Sequence, residues 1–199
     1  MDFERVFKNI IKAFKDNDVR YGLIGGYALG LYGVVRSTAD LDFLIDKKKE
    51  RILKRLMGNN LYEIVHETDN LIQFEHPTAI MGSIDFLYAF REPSLAMLER
   101  AVIKGIFPEK IPLKVLLPED LIGLKVQAMH NDAKRIAVDM ADIRSLMEIN
   151  AQAMDWGIIE KHFALFNDAG LLKKLKNEYK KKQADSCRHF RTKAYTPVH

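Results

Sequence analysis

The strongest constraint in this 199-residue chain is a pair of adjacent glycines, Gly25-Gly26, followed after thirteen residues by carboxylates on alternate positions, Asp40-Leu41-Asp42. Tyr21-Gly22-Leu23-Ile24 reads as an apolar strand running into the glycines, and Leu41 to Ile45 as a second strand rich in large apolar residues. Side chains on a strand alternate between faces, so Asp40 and Asp42 point one way and Leu41 the other. Like charges that close are unfavourable unless a cation lies between them, and hard oxygen ligands on one face suit Mg²⁺ that is also held by substrate phosphates. An Asp-x-Asp taken alone is usually a solvated strand end; the preceding glycines lift the phosphoryl-transfer reading above it.

Two rival motifs fail on inspection. A calcium loop needs a polar ligand at position 5 and glycine at position 6 counted from Asp40, where Leu44 and Ile45 stand. A P-loop needs Lys-Ser or Lys-Thr after its second glycine, but Gly25 and Gly30 are followed by Leu31-Tyr32, and no Gly-x-Gly-x-x-Gly occurs.

A strand ending in Gly25-Gly26 can turn sharply and can bring backbone N–H groups up to a phosphate with no Cβ in the way. Tyr27 to Gly33 reads as a short helix whose N-terminal end faces the same place. Gly26, Gly30 and Gly33 fall at i, i+4 and i+7, which predicts a smooth helix face packed closely on the sheet.

The run Leu23-Ile24-Gly25-Gly26-Tyr27-Ala28-Leu29, with Arg36-Ser37-Thr38-Ala39-Asp40-Leu41-Asp42, resembles the signature of the DNA polymerase β-like nucleotidyltransferase superfamily. More narrowly, Gly-Gly followed by Arg-x-Thr-x-Asp-Leu-Asp resembles the AbiEii-type nucleotidyltransferases, many of which are toxins of toxin–antitoxin pairs. The resemblance covers most of the chain. It implies a mixed β-sheet flanked by helices, a C-terminal helical region, and Mg²⁺-dependent transfer of a nucleotidyl group from an NTP. The superfamily's commonest turn has serine after the first glycine and another glycine soon after. Here Gly26 replaces the serine and Gly30 comes late, which leaves nucleotide choice open.

The resemblance also calls for a third carboxylate on a neighbouring strand, and Asp85 in Ile84-Asp85-Phe86-Leu87-Tyr88 matches it. A charge embedded in an apolar strand is costly to bury unpaired, which suits a ligand or base; the bland reading is an edge-strand Asp facing water. Asp69, in an apparent hairpin turn, and Asp46, at a strand exit, read as structural. In a two-ion scheme Asp40 and Asp42 hold the ion on the triphosphate, and Asp85 joins them on the second. Arg36 and Thr38 lie in the loop delivering the carboxylates, where Arg36 pairs either with phosphate or with a nearby Asp. Lys125, in the helix that opens at Pro118-Glu119-Asp120, resembles the family lysine placed near the triphosphate. In the next helix, Ala133 to Glu148, Asp139 and Asp142 are i, i+3 neighbours that repel unless a cation answers them, so they read as partners of Lys125 or Arg36.

The alternation of strands and helices independently gives an α/β (α+β) core. The expected organisation is a core over 1–117, a helical region over 118–182 and a flexible basic tail over 183–199. The elements anticipated are a helix from Asp2 to Lys15, a basic helix from Lys47 to Met57, strands Leu61 to Glu67 and Leu71 to Glu75, and a short strand from Leu113 to Leu117. The C-terminal stretch from Lys173 onward interleaves Tyr179, Phe190 and Tyr195 with Lys and Arg, a pattern that fits single-stranded nucleic acid but is more often solvated. The net charge of +4 mildly favours an anionic acceptor without identifying it. Cys187 has no partner for a disulfide, and the six histidines show no ligand spacing. No stretch approaches the length of a membrane span and no signal-peptide pattern opens the chain, so a cytoplasmic protein is expected. The leading expectation is a toxin-like enzyme that modifies RNA, tRNA or protein, with an antitoxin as a candidate partner whose existence the sequence leaves open. Small-molecule modification of the antibiotic type is the alternative enzyme, and a noncatalytic nucleotide- or partner-binding relative is the alternative outside enzymes.

Overall fold

The structure, a computed structural model, describes residues 1–106 and 111–193, with side chains to residue 182 in the last helix. The chain divides into two compact units, Met1–Leu121 and Ile122–His199.

The first unit opens with α1 (Phe3–Asp16), whose N-terminus is capped by the Asp2 carboxylate accepting from the Arg5 N–H at 3.1 Å. Val6, Phe7, Ile10, Ile11 and Phe14 recur at helical spacing and form its buried stripe. The chain continues through β1 (Tyr21–Ile24), α2 (Gly25–Leu31), β2 (Leu41–Asp46), α3 (Glu50–Asn59), β3 (Glu63–Glu67), β4 (Leu71–Glu75), β5 (Ser83–Ala89), α4 (Glu92–Glu99), β6 (Val102–Ile106) and β7 (Ile111–Val115). The seven strands form one mixed sheet in the order β3-β4-β5-β2-β1-β7-β6. β2 pairs with β5 and β1 with β7 in parallel; the other neighbours are antiparallel.

Alternation along the central strands separates an apolar face from a polar one. Phe43 of β2 stacks on Phe86 of β5 with centroids 5.5 Å apart, and Phe14 of α1 meets both rings edge-on at 5.9 and 6.0 Å. Each such aromatic pair adds about 0.5–1.5 kcal/mol beyond the burial of its area. Because Phe43 and Phe86 turn toward α1, their neighbours Asp42 and Asp85 turn to the opposite face.

Several boundaries differ from expectation for local reasons. Asp46 closes β2 by pairing with Arg20 and accepting from the Lys48 N–H at 3.0 Å, so Lys47–Lys49 form a separate 3₁₀ turn ahead of α3. The strand expected at Leu113 starts earlier, at Ile111. Pro112 is tolerated because β7 meets β1 beyond it, where Leu23 pairs with Val115.

The second unit continues α5 (Pro118–Asn131), the helix in which the division falls, through α6 (Ile136–Asn150), α7 (Trp156–Ala164) and α8 (Ala169–Lys193). The α8 backbone is helical through Lys193, into the segment read from sequence as a tail. Residues 194–199, and the side chains of Cys187 and Phe190, lie outside the described residues. Among the described residues, no helix is long and apolar enough to cross a membrane.

Candidate active site

Sheet register creates the site. Ile24 of β1 pairs with Asp42 of β2, Asp42 with Asp85 of β5, and Asp85 with Gln73 of β4. Neighbouring strands lie about 4.8 Å apart, so two carboxylates far apart in sequence stand side by side at one level of the sheet. Both are half-buried. The Gln73 side-chain amide donates to Asp85 Oδ2 at 2.7 Å. Burial pushes the Asp85 carboxyl up, the Gln73 hydrogen bond pulls it down and the Asp40 charge pushes it up again, leaving it above its ordinary value.

Asp40 itself is exposed and stands just ahead of β2, which begins at Leu41. The Thr38 hydroxyl donates to the Asp40 carbonyl at 3.1 Å and shapes the turn that delivers it. Arg36 is exposed in the same loop.

The glycine turn is built around these residues. Gly25 has φ +66°, and a Cβ placed on it would stand 1.8 Å from Asp42 Oδ2 and 2.7 Å from Asp42 Cβ. Only glycine combines that backbone with that approach. A Cβ on Gly26 would stand 2.7 Å from Thr38 Cβ, so the turn and the carboxylate loop interlock. The smooth glycine face expected from sequence does not exist. Gly30 is exposed, a Cβ added to it would meet nothing within 4 Å, and Gly33 lies past the end of α2 with φ +88°. Gly26 packs closely, whereas α2 ends at Leu31 and turns its Gly30 side to solvent.

Among the described residues, no three His, Cys, Asp or Glu side chains are gathered closely enough to hold a metal ion unaided. The arrangement does fit Mg²⁺ shared with a ligand: its donors are carboxylate oxygens from adjacent strands, beside a backbone kept open by Gly25. Mg²⁺ is commonly held by one or two carboxylates with phosphate and water oxygens completing the shell.

In the second unit the expected pairing of Asp139 and Asp142 with a lysine is present. Lys125 Nζ lies 2.8 Å from Asp139 Oδ1 and 2.7 Å from Asp142 Oδ2. Arg135 joins the group, its Nε donating to Asp139 Oδ2 at 2.9 Å. Burial pushes the Asp139 carboxyl up, but the hydrogen bonds and charges of Arg135 and Lys125 outweigh it and hold the group below the usual carboxylate range. The same unit contains a cavity of about 630 Å³ lined by Met129, His130, Met140, Arg144, Asp168 and Leu171. His130 Nε2 lies 2.6 Å from Asp168 Oδ2, a pair with no signature in the sequence.

No protein-family profile and no curated protein matches this chain. Solved structures do. The antibiotic-resistance factor ANT(2″)-Ia is 15% identical and aligns over 90% of this chain and 100% of its own, with a TM-score of 0.58. This chain has a nucleotidyltransferase fold. The lincomycin-bound lincosamide antibiotic adenylyltransferase LnuA aligns at 18% identity over 73% of this chain and 97% of its own, with a TM-score of 0.51. An antigenic nucleotidyltransferase-like protein from Paracoccidioides brasiliensis aligns at 16% identity over 87% of this chain and 91% of its own, with a TM-score of 0.52. At such identities the likeness is one of nucleotidyltransferase fold, and the chemistry has to be argued from the residues themselves.

Proposed function

We propose that this chain is a Mg²⁺-dependent nucleotidyltransferase of the AbiEii type, moving NMP from an NTP to a hydroxyl on RNA, tRNA or protein, and held in check by an antitoxin partner. The observation that carries the enzymatic part is the direct pairing of Asp42 with Asp85, level with the Gly25 turn. Two carboxylates side by side each raise the cost of ionising the other, so the pair suits a site that holds a cation together with the phosphates.

Asp40, Asp42 and Asp85 would hold the metal, and when bound it would neutralise charge on the phosphates and favour ionisation of the acceptor hydroxyl. The chain's own groups do the rest. Gly25 and Gly26 leave backbone space for the triphosphate, with Arg36 and Thr38 in the adjoining loop. Asp85 accepts the proton of the attacking hydroxyl. The new bond forms from that oxygen to the α-phosphorus, the bond to the β-phosphate bridge breaks, and pyrophosphate leaves with the electron pair.

The test is incubation of the purified protein with each α-³²P-labelled NTP, Mg²⁺ and total tRNA, in parallel with Asp40→Ala/Asp42→Ala. Label on RNA or on protein that requires the carboxylates identifies nucleotide and acceptor class together. If NTP and Mg²⁺ bind but nothing is labelled until small hydroxylated compounds are supplied, the macromolecular acceptor is wrong. If NTP does not bind, the catalytic reading falls.

A further inference from the structure

We infer that Gln73 is a positioning residue for the metal site: its side-chain amide fixes the Asp85 carboxylate so that Oδ1 is the oxygen presented for ligation. The inference rests on the reading of Asp42 and Asp85 as metal ligands and adds a residue that no sequence motif marks.

Three observations converge on it. β5 lies between β2 and β4, and the register places Asp42 on one side of Asp85 and Gln73 on the other. Asp85 is therefore flanked across the sheet by a like charge and by a neutral donor. Next, the contact is a hydrogen bond of ordinary length, 2.7 Å, to Oδ2. An ionised carboxylate only accepts, so the amide must present its nitrogen; this orientation follows from the chemistry of the partner. Finally, all three side chains are half-buried on the sheet face opposite the aromatic core. A half-buried Asp with Asp42 beside it has every electrostatic reason to rotate away, and a donated hydrogen bond from the far side opposes that rotation without adding positive charge. A lysine or arginine at position 73 would neutralise Asp85 and compete with a cation, whereas a glutamine orients it and leaves its charge available. Groups that orient ligating carboxylates in this way typically change metal affinity by about 10- to 100-fold when removed.

The experiment is Mn²⁺ binding to the full chain, read by electron paramagnetic resonance as loss of the free-ion signal, in the presence of a non-hydrolysable NTP analogue. Four proteins are compared with the natural one: Asp42→Ala, Gln73→Met, Asp85→Asn and the double variant Gln73→Met/Asp85→Asn. Gln73→Met keeps length and removes the donor; Gln73→Val, a better strand former, serves as a second version if the first loses its cooperative melting transition. The expected result is Mn²⁺ affinity about tenfold weaker in Gln73→Met and no further weakening when the same change is made on top of Asp85→Asn, because Gln73 acts through Asp85. Binding of the NTP analogue without metal should be unchanged, a readout that general damage to the sheet would move. If Gln73→Met binds Mn²⁺ as tightly as the natural chain, or if its effect adds in full to that of Asp85→Asn, the positioning role is wrong while the metal-site reading stands. If the natural chain takes up no Mn²⁺, or Asp42→Ala takes it up equally well, the metal-site reading fails and the role of Gln73 falls with it.

Discussion

Two glycines five residues apart in one short helix should respond in opposite ways to the same substitution. At Gly25, alanine must adopt φ +66°, which costs an L-residue about 1–2 kcal/mol. Its Cβ would also stand 1.8 Å from Asp42 Oδ2, and because Asp42 Cβ itself is only 2.7 Å away, turning the carboxylate aside does not clear the clash. The turn or β2 has to move by about 1 Å, a displacement that typically costs on the order of 10²-fold in rate when it misplaces a reacting group. At Gly30 a Cβ meets nothing within 4 Å, and alanine there should stabilise the helix by about 1 kcal/mol and leave turnover alone. Urea unfolding followed by circular dichroism, with NMP transfer measured on the same preparations, separates the two. Gly25→Ala should lose stability and at least about 10²-fold in transfer, and Gly30→Ala should gain stability at unchanged transfer. A Gly25→Ala protein with natural stability and natural activity would refute the close approach of the turn to Asp42, and with it the geometry on which the site depends.

Asp42→Asn and Asp85→Asn should each leave the far-ultraviolet circular dichroism spectrum intact while lowering NMP transfer by at least about 10²-fold; retention of transfer in either would remove that residue from the site. Lys125→Met takes the cation from between two buried carboxylates and should destabilise the helical unit by about 3 kcal/mol, read as a fall in the unfolding midpoint of its helical signal, whereas a shift below about 0.5 kcal/mol would show that the pair contributes little. The Asp139 carboxyl is held below its ordinary 3.8, so its contribution is present above that value and is lost as pH falls through the lowered folded-state value. Melting temperature should therefore drop in acid, and Asp139→Asn should be less stable at neutral pH but show a flatter decline below about pH 4; a decline as steep as that of the natural chain would exclude this group as its source.

The site divides into what local pattern reveals and what only pairing reveals. β1, the glycine turn and β2 are legible because apolar runs flank residues whose backbone or charge has few other uses. The strand carrying Asp85 is legible as a strand, but its place beside Asp42 is a matter of register, which no local pattern states. Gln73 is invisible for the same reason: an ordinary glutamine in Leu71-Ile72-Gln73-Phe74-Glu75 gains its meaning from the strand beside it. α4 and β6 leave little trace in the sequence because Glu92–Glu99 has a proline in its first turn and lacks a strong apolar period, and because edge strand β6 exposes Val102 and Ile103 instead of burying them. Asp139 and Asp142 are half legible. Two like charges on one helix face demand a cation; Lys125 supplies it, and Arg135, one turn before Asp139, adds a second.

The parallel pairing of β2 with β5 also sets an order of assembly. Asp40 and Asp42 are made early, but the strand that completes them arrives only after α3 and the β3–β4 hairpin have been threaded between. A nascent chain that stops at Glu75 therefore holds both early carboxylates and no site. Such a topology withholds the paired carboxylates from every fragment that stops short of β5, and brings them together only when the centre of the sheet has closed.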